Sequence, residues 1–332
     1  MKHQARADGN LERRIRDAER NLFAAAGADV DEFFVELEQT GLRVRVLSHG
    51  RGPAVVLLHG VSESAAIWAP LFTKLGHFRL LAVDLPGHGL SDPITLRRGQ
   101  VREYARRLIE DILDALGLDE APVIGHSLGG MFALWHAAAG SGRISGVIAI
   151  GEPAVALPGV RVRMPLSVLT VRGLGTAVLR APSPRRVYRA LLAQGLGSAE
   201  VAAAPDSMIE ALRLCARRPQ NARTVASLMH AIDLFRRPRP ESVLTSAELA
   251  AIMTPAIFII GSDDPYLSIE RARPSIDHIH GARLYEVPGG HAPWLVDAQH
   301  AADLIATHLA TSASEAVRRP RLAASPAGGE HV

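Results

Sequence analysis

The chain of 332 residues is 48% hydrophobic and 21% charged, a balance that is typical of a globular protein and not of a disordered one. A single cysteine, Cys215, excludes an internal disulfide and a cysteine-based zinc site, and it fits a cytoplasmic protein. The net charge is only +3 and aromatic residues make up 5%, so nothing indicates nucleic-acid binding. The charged N-terminus lacks the apolar core of a signal peptide, and we predict no membrane span.

The first part of the chain predicts a helix followed by a hairpin. Apolar residues recur at helical spacing at Leu11, Ile15, Ala18 and Leu22. We therefore assign residues 1–30 to an N-terminal helical extension. Residues 33–37 and 42–46 then alternate between apolar and polar side chains on either side of Thr40-Gly41, which is typical of a β-hairpin with one buried face.

Beyond the hairpin, short apolar runs alternate with helical segments. The runs span residues 54–58, 80–83, 122–124, 147–150, 256–260 and 283–287. Continuous apolar strands that alternate with helices are typical of a mainly parallel sheet with helices on both faces. The sequence therefore predicts an α/β fold.

This alternation stops between residues 155 and 248, where proline and glycine separate helical stretches and no strand-like run occurs. Such a segment is too long for an ordinary loop, so we predict an inserted helical lid. The α/β core then comprises residues 31–154 and 249–311. Residues 312–332 are rich in alanine, serine and proline, and we expect a disordered tail there.

The strongest local motif is Gly125-His126-Ser127-Leu128-Gly129, which lies between an apolar run and a helical stretch. A G-x-S-x-G sequence in this context forms a sharp turn from strand to helix that exposes the serine oxygen. The N-terminus of the following helix adds positive potential and a free N–H at Leu128. The motif predicts that Ser127 is a nucleophile; the alternative is a tight turn without chemistry.

A nucleophilic serine needs a base that takes its proton and a carboxylate that orients the base. His291 follows the last apolar run after two glycines and is the candidate base. Asp263 and Asp264 follow the run 256–260, and Glu152 follows another run. All of these residues come just past the carboxyl ends of predicted strands, where open α/β sheets form their sites. The residues alone leave the three acids open as partners of His291.

Together these blocks resemble the α/β-hydrolase superfamily, in particular its lid-bearing serine-esterase branch. The resemblance covers residues 32–310 and rests on four blocks in order: His59-Gly60, the stretch DLPGHGLSD from Asp84 to Asp92, the Ser127 turn and the Asp264/His291 pair. It implies that Asp264 is the acid, with Glu152 as the alternative that some related hydrolases use. It also implies that the backbone N–H groups of Val61 and Leu128 form an oxyanion hole.

Other polar residues of these blocks are interpreted as structural. His59, His88 and His126 are expected to hydrogen-bond the backbone. Glu63 is interpreted as a solvated loop residue, the alternative being a contact with a substrate amine. No pair of histidines at helical spacing, and no comparable cluster, indicates a metal, and no cofactor is expected.

The sequence predicts a serine hydrolase that cleaves a carboxylic ester or lactone of a small-molecule substrate through an acyl-enzyme on Ser127. A thioester or an activated C–C bond is the alternative substrate. By the same resemblance, serine at the turn argues against epoxide hydrolases and haloalkane dehalogenases, which need aspartate there. A non-hydrolytic lyase, a cyclase or a ligand receptor is the alternative from another class, because a fold does not determine its chemistry.

The predicted lid is strongly basic. Residues 155–248 contain 14 arginines, no lysine and six acidic residues, a net charge of +8, so the rest of a chain that totals +3 carries −5. Such asymmetry indicates either an anionic or carrier-bound substrate, or arginines that are solvated on helix faces.

Overall fold

The structure is a computed structural model that describes residues 2–161, 166–171, 173–181, 183–233 and 237–318. Eight strands form one sheet: β1 Asp31–Leu37, β2 Leu42–His49, β3 Ala54–Leu58, β4 Arg79–Val83, β5 Ala121–His126, β6 Ile144–Ile150, β7 Ala256–Gly261 and β8 Arg283–Val287. Their order across the sheet is β1-β2-β4-β3-β5-β6-β7-β8. β2 pairs antiparallel with β1 and β4, and all other neighbours are parallel, which confirms the predicted α/β sheet.

Helices connect the strands and cover the sheet. They are α1 Lys2–Ala26, α2 Ala69–Phe72, α3 Val101–Ala115, α4 Leu128–Ala138, α5 Leu174–Arg180, α6 Arg185–Leu196, α7 Ser198–Ala203, α8 Asp206–Ala216, α9 Pro219–Ile232, α10 Ser246–Ala250, α11 Ile269–Ile276 and α12 Ala298–Arg318. None of the described helices is long and apolar enough to cross a membrane.

Residues 155–248, which we call the lid segment, lie between β6 and β7 and contain α5 to α9. At the C-terminus we expected a disordered tail from residue 312, whereas α12 continues to Arg318. The remainder of that expected tail, residues 319–332, lies outside the described residues.

The central strands β3 and β7 are apolar along their whole length because both faces of the sheet are covered. In β3, Val56 and Leu58 pack into one core with α3 and α4. Val55 and Leu57 pack into a second core with α2 and α12. All four side chains are at most 2% exposed, which explains why this run lacks the polar alternation of the hairpin.

The parallel strands direct their carboxyl ends to one edge of the sheet, which we call the carboxyl edge. Val61 follows β3, Ser127 follows β5 and Glu152 follows β6. Asp264 follows β7 and His291 follows β8. The topology thus brings together residues that are far apart in the sequence.

A buried ion cluster connects α1 to this edge. Arg45 of β2 is 1% exposed and binds Glu19 of α1 and, at 3.1 Å, Asp84 after β4. Asp84 also accepts the backbone N–H groups of Ala65 at 2.7 Å and Leu90 at 2.8 Å. The cluster therefore fixes two loops next to the carboxyl edge.

The helix α1 also packs on the lid segment. Ile15 shares a small apolar core with Leu214 and Cys215 of α8. Glu12 pairs with Arg218, which follows α8, at 3.1 Å. The first helix of the chain thus bridges the sheet and the lid segment.

Candidate active site

Ser127 lies in a sharp turn between β5 and α4. Its backbone has φ 47° and ψ −105°, and non-glycine residues rarely adopt a positive φ. The neighbouring glycines permit the turn, because a Cβ atom on Gly125 would overlap the backbone of Gly129 and Gly130. A Cβ atom on Gly129 would overlap the carbonyl of Leu58. Tight packing thus holds the serine in a conformation that costs about 1–3 kcal/mol by itself.

His291 and Asp264 are buried and hydrogen-bonded to each other, with 2.8 Å between Nδ1 and Oδ2. Asp264 also accepts the backbone N–H groups of Glu152 at 2.9 Å and Tyr266 at 3.0 Å. Burial opposes ionisation of Asp264, but His291 and these hydrogen bonds outweigh it and lower the pKa of the carboxyl below its ordinary value. An ionised carboxylate at Nδ1 favours a proton on that nitrogen and leaves Nε2 as an acceptor.

The two alternative acids have different environments. Asp263 is exposed to solvent. Glu152 is buried, and neither of its carboxyl oxygens has a hydrogen-bond partner among the described residues. Burial, together with the charge of Asp264, raises the pKa of Glu152 well above its usual value and favours its neutral form. Of the three candidates, Asp264 is the one that contacts the His291 ring.

Ser127 and His291 line one cavity of about 240 Å³, to which the core and the lid segment both contribute. Val61 and Leu128 line it as well, and Leu128, the first residue of α4, has a backbone N–H without an intrahelical acceptor. Much of the remaining wall is apolar and includes Val178, Leu179, Leu191, Leu192, Met229 and Ile232. In the described part of the chain the Ser127 hydroxyl makes no hydrogen bond to Nε2 of His291, a contact that often tightens only when substrate binds.

Glu63 links the loop after β3 to the His291 loop. The interpretation of Glu63 as a solvated residue is wrong, because the side chain is only 4% exposed. Its carboxylate accepts the N–H of Gly60 at 2.6 Å and contacts Nδ1 of His126 at 2.9 Å. Nε2 of His126 lies 3.1 Å from the carbonyl oxygen of His291. Burial opposes ionisation of Glu63, yet His126 and the other partners lower the pKa of the carboxyl.

His59 and His88 contact the backbone, as expected. Nε2 of His59 accepts the N–H of Leu85 at 3.0 Å, and Nδ1 of His88 lies 3.3 Å from the carbonyl oxygen of Pro86. Burial lowers the pKa of His88 to about 3, so this ring is neutral. Among the described residues, no group of three or more His, Cys, Asp or Glu side chains could hold a metal ion.

The lid segment anchors the His291 loop through two contacts that the sequence did not predict. The N–H of His291 donates to the carbonyl of Leu196 at 2.7 Å, and the N–H of Gly290 donates to the Glu200 carboxylate. Glu200 is 1% exposed. A Cβ atom on Gly290 would crowd the Leu196 carbonyl, which explains the glycine before the histidine. In the sequence, the pair Gly289-Gly290 indicates a closely packed backbone before His291. The residues that contact it, Leu196 and Glu200, are too distant along the chain to be inferred.

Residues 53–298, which include every residue of the site, match the family model of the alpha/beta hydrolase fold. The chain therefore belongs to the α/β-hydrolase family, as its sequence motifs predicted.

Several named proteins are similar to this chain. A pimeloyl-[acyl-carrier protein] methyl ester esterase of Shewanella sp. (strain MR-7) is 28% identical over 262 residues, which cover 76% of this chain and 89% of the relative. A 2-succinyl-6-hydroxy-2,4-cyclohexadiene-1-carboxylate synthase of Pectobacterium atrosepticum is 29% identical over 215 residues, which cover 64% of this chain and 78% of the relative. A solved carboxylesterase of Bacillus subtilis has the same fold, with a TM-score of 0.69 at 19% identity over 91% of this chain and 99% of that one.

The first prediction concerns Glu152. Its carboxyl ionises in the unfolded chain above about pH 4.5 but keeps its proton in the fold, so the native state loses stability as pH rises, by up to about 1.4 kcal/mol per pH unit. The neutral isostere in Glu152→Gln removes this loss. In thermal unfolding, the Tm of Glu152→Gln relative to wild type should therefore increase between pH 5 and pH 8. The exposed control Glu38→Gln should show no such trend, and a pH-independent Tm difference for Glu152→Gln would contradict a neutral Glu152.

The second prediction concerns the anchor Glu200. In Glu200→Ala the N–H of Gly290 loses its acceptor and the His291 loop loosens, so kcat should fall about 10-fold with KM little changed. Glu200→Gln keeps an oxygen acceptor and should restore most of kcat. Steady-state kinetics on an ester substrate measure both values. Equal kcat losses in the two variants, or a loss confined to KM, would show that Glu200 does not position the His291 loop.

Proposed function

We propose that the protein is a serine hydrolase that cleaves a carboxylic ester or a lactone through an acyl-enzyme on Ser127. The observation that carries this proposal is that Ser127, in its strained turn, shares a cavity with the buried His291–Asp264 pair. The esterase among the sequence relatives supports the same class of reaction.

In the first half-reaction His291 acts as a general base. Nε2 takes the proton of the Ser127 hydroxyl while Oγ forms a bond to the carbonyl carbon of the substrate, which gives a tetrahedral oxyanion. The intermediate collapses, the C–O bond to the alcohol breaks, and the alcohol oxygen takes the proton from Nε2. Asp264 holds Nδ1–H and stabilises the imidazolium while it exists.

In the second half-reaction water takes the place of the alcohol. His291 removes a proton from the water, the hydroxide oxygen attacks the acyl carbon, and the proton returns to Oγ as the carboxylic acid leaves. For a lactone the alcohol and the acid belong to one molecule, so the single product is a hydroxy acid.

Both tetrahedral intermediates need donors for the oxyanion. The N–H of Leu128, at the positive end of α4, and the N–H of Val61, on the loop that Glu63 braces, fit this role. Such donors are fixed before the charge develops, so each contributes about 3 kcal/mol to transition-state stabilisation.

A thioester or an activated C–C bond is the alternative substrate, because the same nucleophile attacks any activated carbonyl. The synthase among the relatives favours a second candidate class, a non-hydrolytic lyase or cyclase on this fold. A ligand receptor would bind without turnover. A fluorophosphonate probe, located on Ser127 by mass spectrometry, separates an active serine enzyme from a receptor, and product analysis separates hydrolysis from lyase chemistry.

The third prediction tests the nucleophile. Ser127→Ala should lower kcat about 10⁴-fold or more, because only binding and oxyanion stabilisation remain. The ratio of kcat for wild type to kcat for Ser127→Ala is measured on p-nitrophenyl esters, with both proteins purified in parallel. Near-normal turnover by Ser127→Ala would end the acyl-enzyme proposal.

The fourth prediction tests the acid. Asp264→Asn should lower kcat about 10⁴-fold, because an amide neither fixes the imidazole tautomer nor stabilises the imidazolium. Glu152→Gln, a change of the same size at the alternative acid, should cost far less. If Glu152→Gln proved the more damaging substitution, Glu152 rather than Asp264 would be the acid.

A further inference from the structure

The wall that the lid segment contributes to the cavity contains hydroxyl groups without partners among the described residues. Ser183 and Tyr188 line the cavity, and their hydroxyl oxygens are buried and make no hydrogen bond to a described residue. Buried hydroxyls in native proteins are nearly always hydrogen-bonded, because an unpaired one costs about 1–3 kcal/mol. Burial raises the pKa of Tyr188, so its hydroxyl is a neutral donor. Two free hydroxyls in one cavity wall point to a ligand that accepts hydrogen bonds.

An arginine lies in the same wall. Arg217 lines the cavity with a side chain that is also exposed to solvent, and it forms no ion pair with a described residue. It follows Arg213 by four residues, and this spacing places the two on one face at the end of α8. Arg213 pairs with Glu210 at 2.7 Å and reaches the carbonyl of Ser183 at 3.5 Å. The end of α8 and the start of α6 therefore meet where the free hydroxyls lie.

Arg217 differs from the other arginines of the lid segment. Five of these are bound by carboxylates or carbonyls: Arg185, Arg189, Arg213, Arg218 and Arg239. The described arginines whose side chains make neither an ion pair nor a hydrogen bond to a described residue are Arg161, Arg180, Arg186, Arg217, Arg223 and Arg237. Of this second group, Arg217 is the one that lines the cavity.

The two carboxyl groups that line the cavity form no ion pair with Arg217. Glu63 is engaged by His126 and the N–H of Gly60. Glu152 has the environment of a neutral acid. The lid wall thus presents a guanidinium and two hydroxyl donors to whatever occupies the cavity.

We propose that Ser183, Tyr188 and Arg217 form a subsite for an anionic oxygen group, such as a carboxylate, on the substrate. A carboxylate accepts hydrogen bonds from both hydroxyls and from the planar guanidinium, and the apolar walls hold the chain between this group and the scissile carbonyl. The inference rests on the proposed function and specifies its substrate class: esters or lactones that carry a second, anionic group. It assigns a binding role to one arginine of the basic lid segment.

Paired esters test the subsite without a known substrate. p-Nitrophenyl hydrogen esters of linear dicarboxylic acids are compared with p-nitrophenyl alkanoates of equal chain length. A second pair, 4-carboxyphenyl and phenyl butyrate, places the carboxylate on the alcohol side. The ratio of kcat/KM for the anionic and neutral members is measured for wild type, Arg217→Gln, Tyr188→Phe and the control Arg223→Gln. Arg223 is an exposed arginine of the lid segment that does not line the cavity.

Wild type should prefer the anionic member of at least one pair. That ratio should fall about 10-fold or more in Arg217→Gln and several-fold in Tyr188→Phe, while Arg223→Gln keeps the wild-type ratio. Raising the salt from about 20 to 300 mM should lower the ratio in wild type and leave the ratio of Arg217→Gln nearly unchanged.

Two results would overturn the subsite: no anionic preference in either pair, or equal ratios in Arg217→Gln and Arg223→Gln. With either result, Ser127-dependent hydrolysis of the neutral esters would still support the proposed function. Hydrolysis that survives in Ser127→Ala would instead overturn the proposed function, whatever the ratios.

Discussion

The candidate site depends on one close contact between backbones. The start of α4 packs so tightly against β3 and β5 that positions 125 and 129 have room only for glycine. This contact forces the chain to turn within one residue, which places Ser127 at the carboxyl edge and directs the N-terminus of α4 toward the cavity. The apolar cores on both faces of the sheet provide the rigid support that such a strained residue needs.

The candidate base is held in a comparable way, but by polar contacts from separate parts of the chain. Asp264 binds the ring of His291, His126 contacts its carbonyl oxygen, and the lid segment accepts its N–H through Leu196. These bonds are buried, where hydrogen bonds are electrostatically stronger than in water. The lid segment thus both lines the cavity and supports a loop of the core, so substitutions in it can change activity without touching a ligand.

Much of this architecture could be predicted from the sequence. The runs that became β3, β5 and β7 are continuous and apolar because both faces of the sheet are covered. The carboxyl ends of β5, β7 and β8 locate Ser127, Asp264 and His291. The environment of a side chain was harder to predict than its position in the fold. The loop position of Glu63 predicts a solvated side chain, yet that loop folds against His126 and buries Glu63.

The sequence also cannot predict the environment of groups that only tertiary packing brings together. The contrast between Asp264 and Glu152 depends on which carboxyl receives hydrogen bonds, and no spacing in the sequence reveals that. Likewise, Tyr188 and Arg217 lie in one wall because α6 packs on α8. Neither the charge of the lid segment nor its helical periodicity distinguishes Arg217 from the exposed arginines that do not line the cavity.

The helix α1 packs on both the sheet and the lid segment, and this arrangement has a consequence for biosynthesis. Leu214 and Cys215, which cover Ile15, lie about 200 residues later in the chain than this helix, as does Arg218, the partner of Glu12. At a translation rate of about 5–20 residues per second, that interval lasts on the order of 10–40 s. During this time the part of the helix around Glu12 and Ile15 lacks these partners, which leaves apolar surface exposed on the nascent chain.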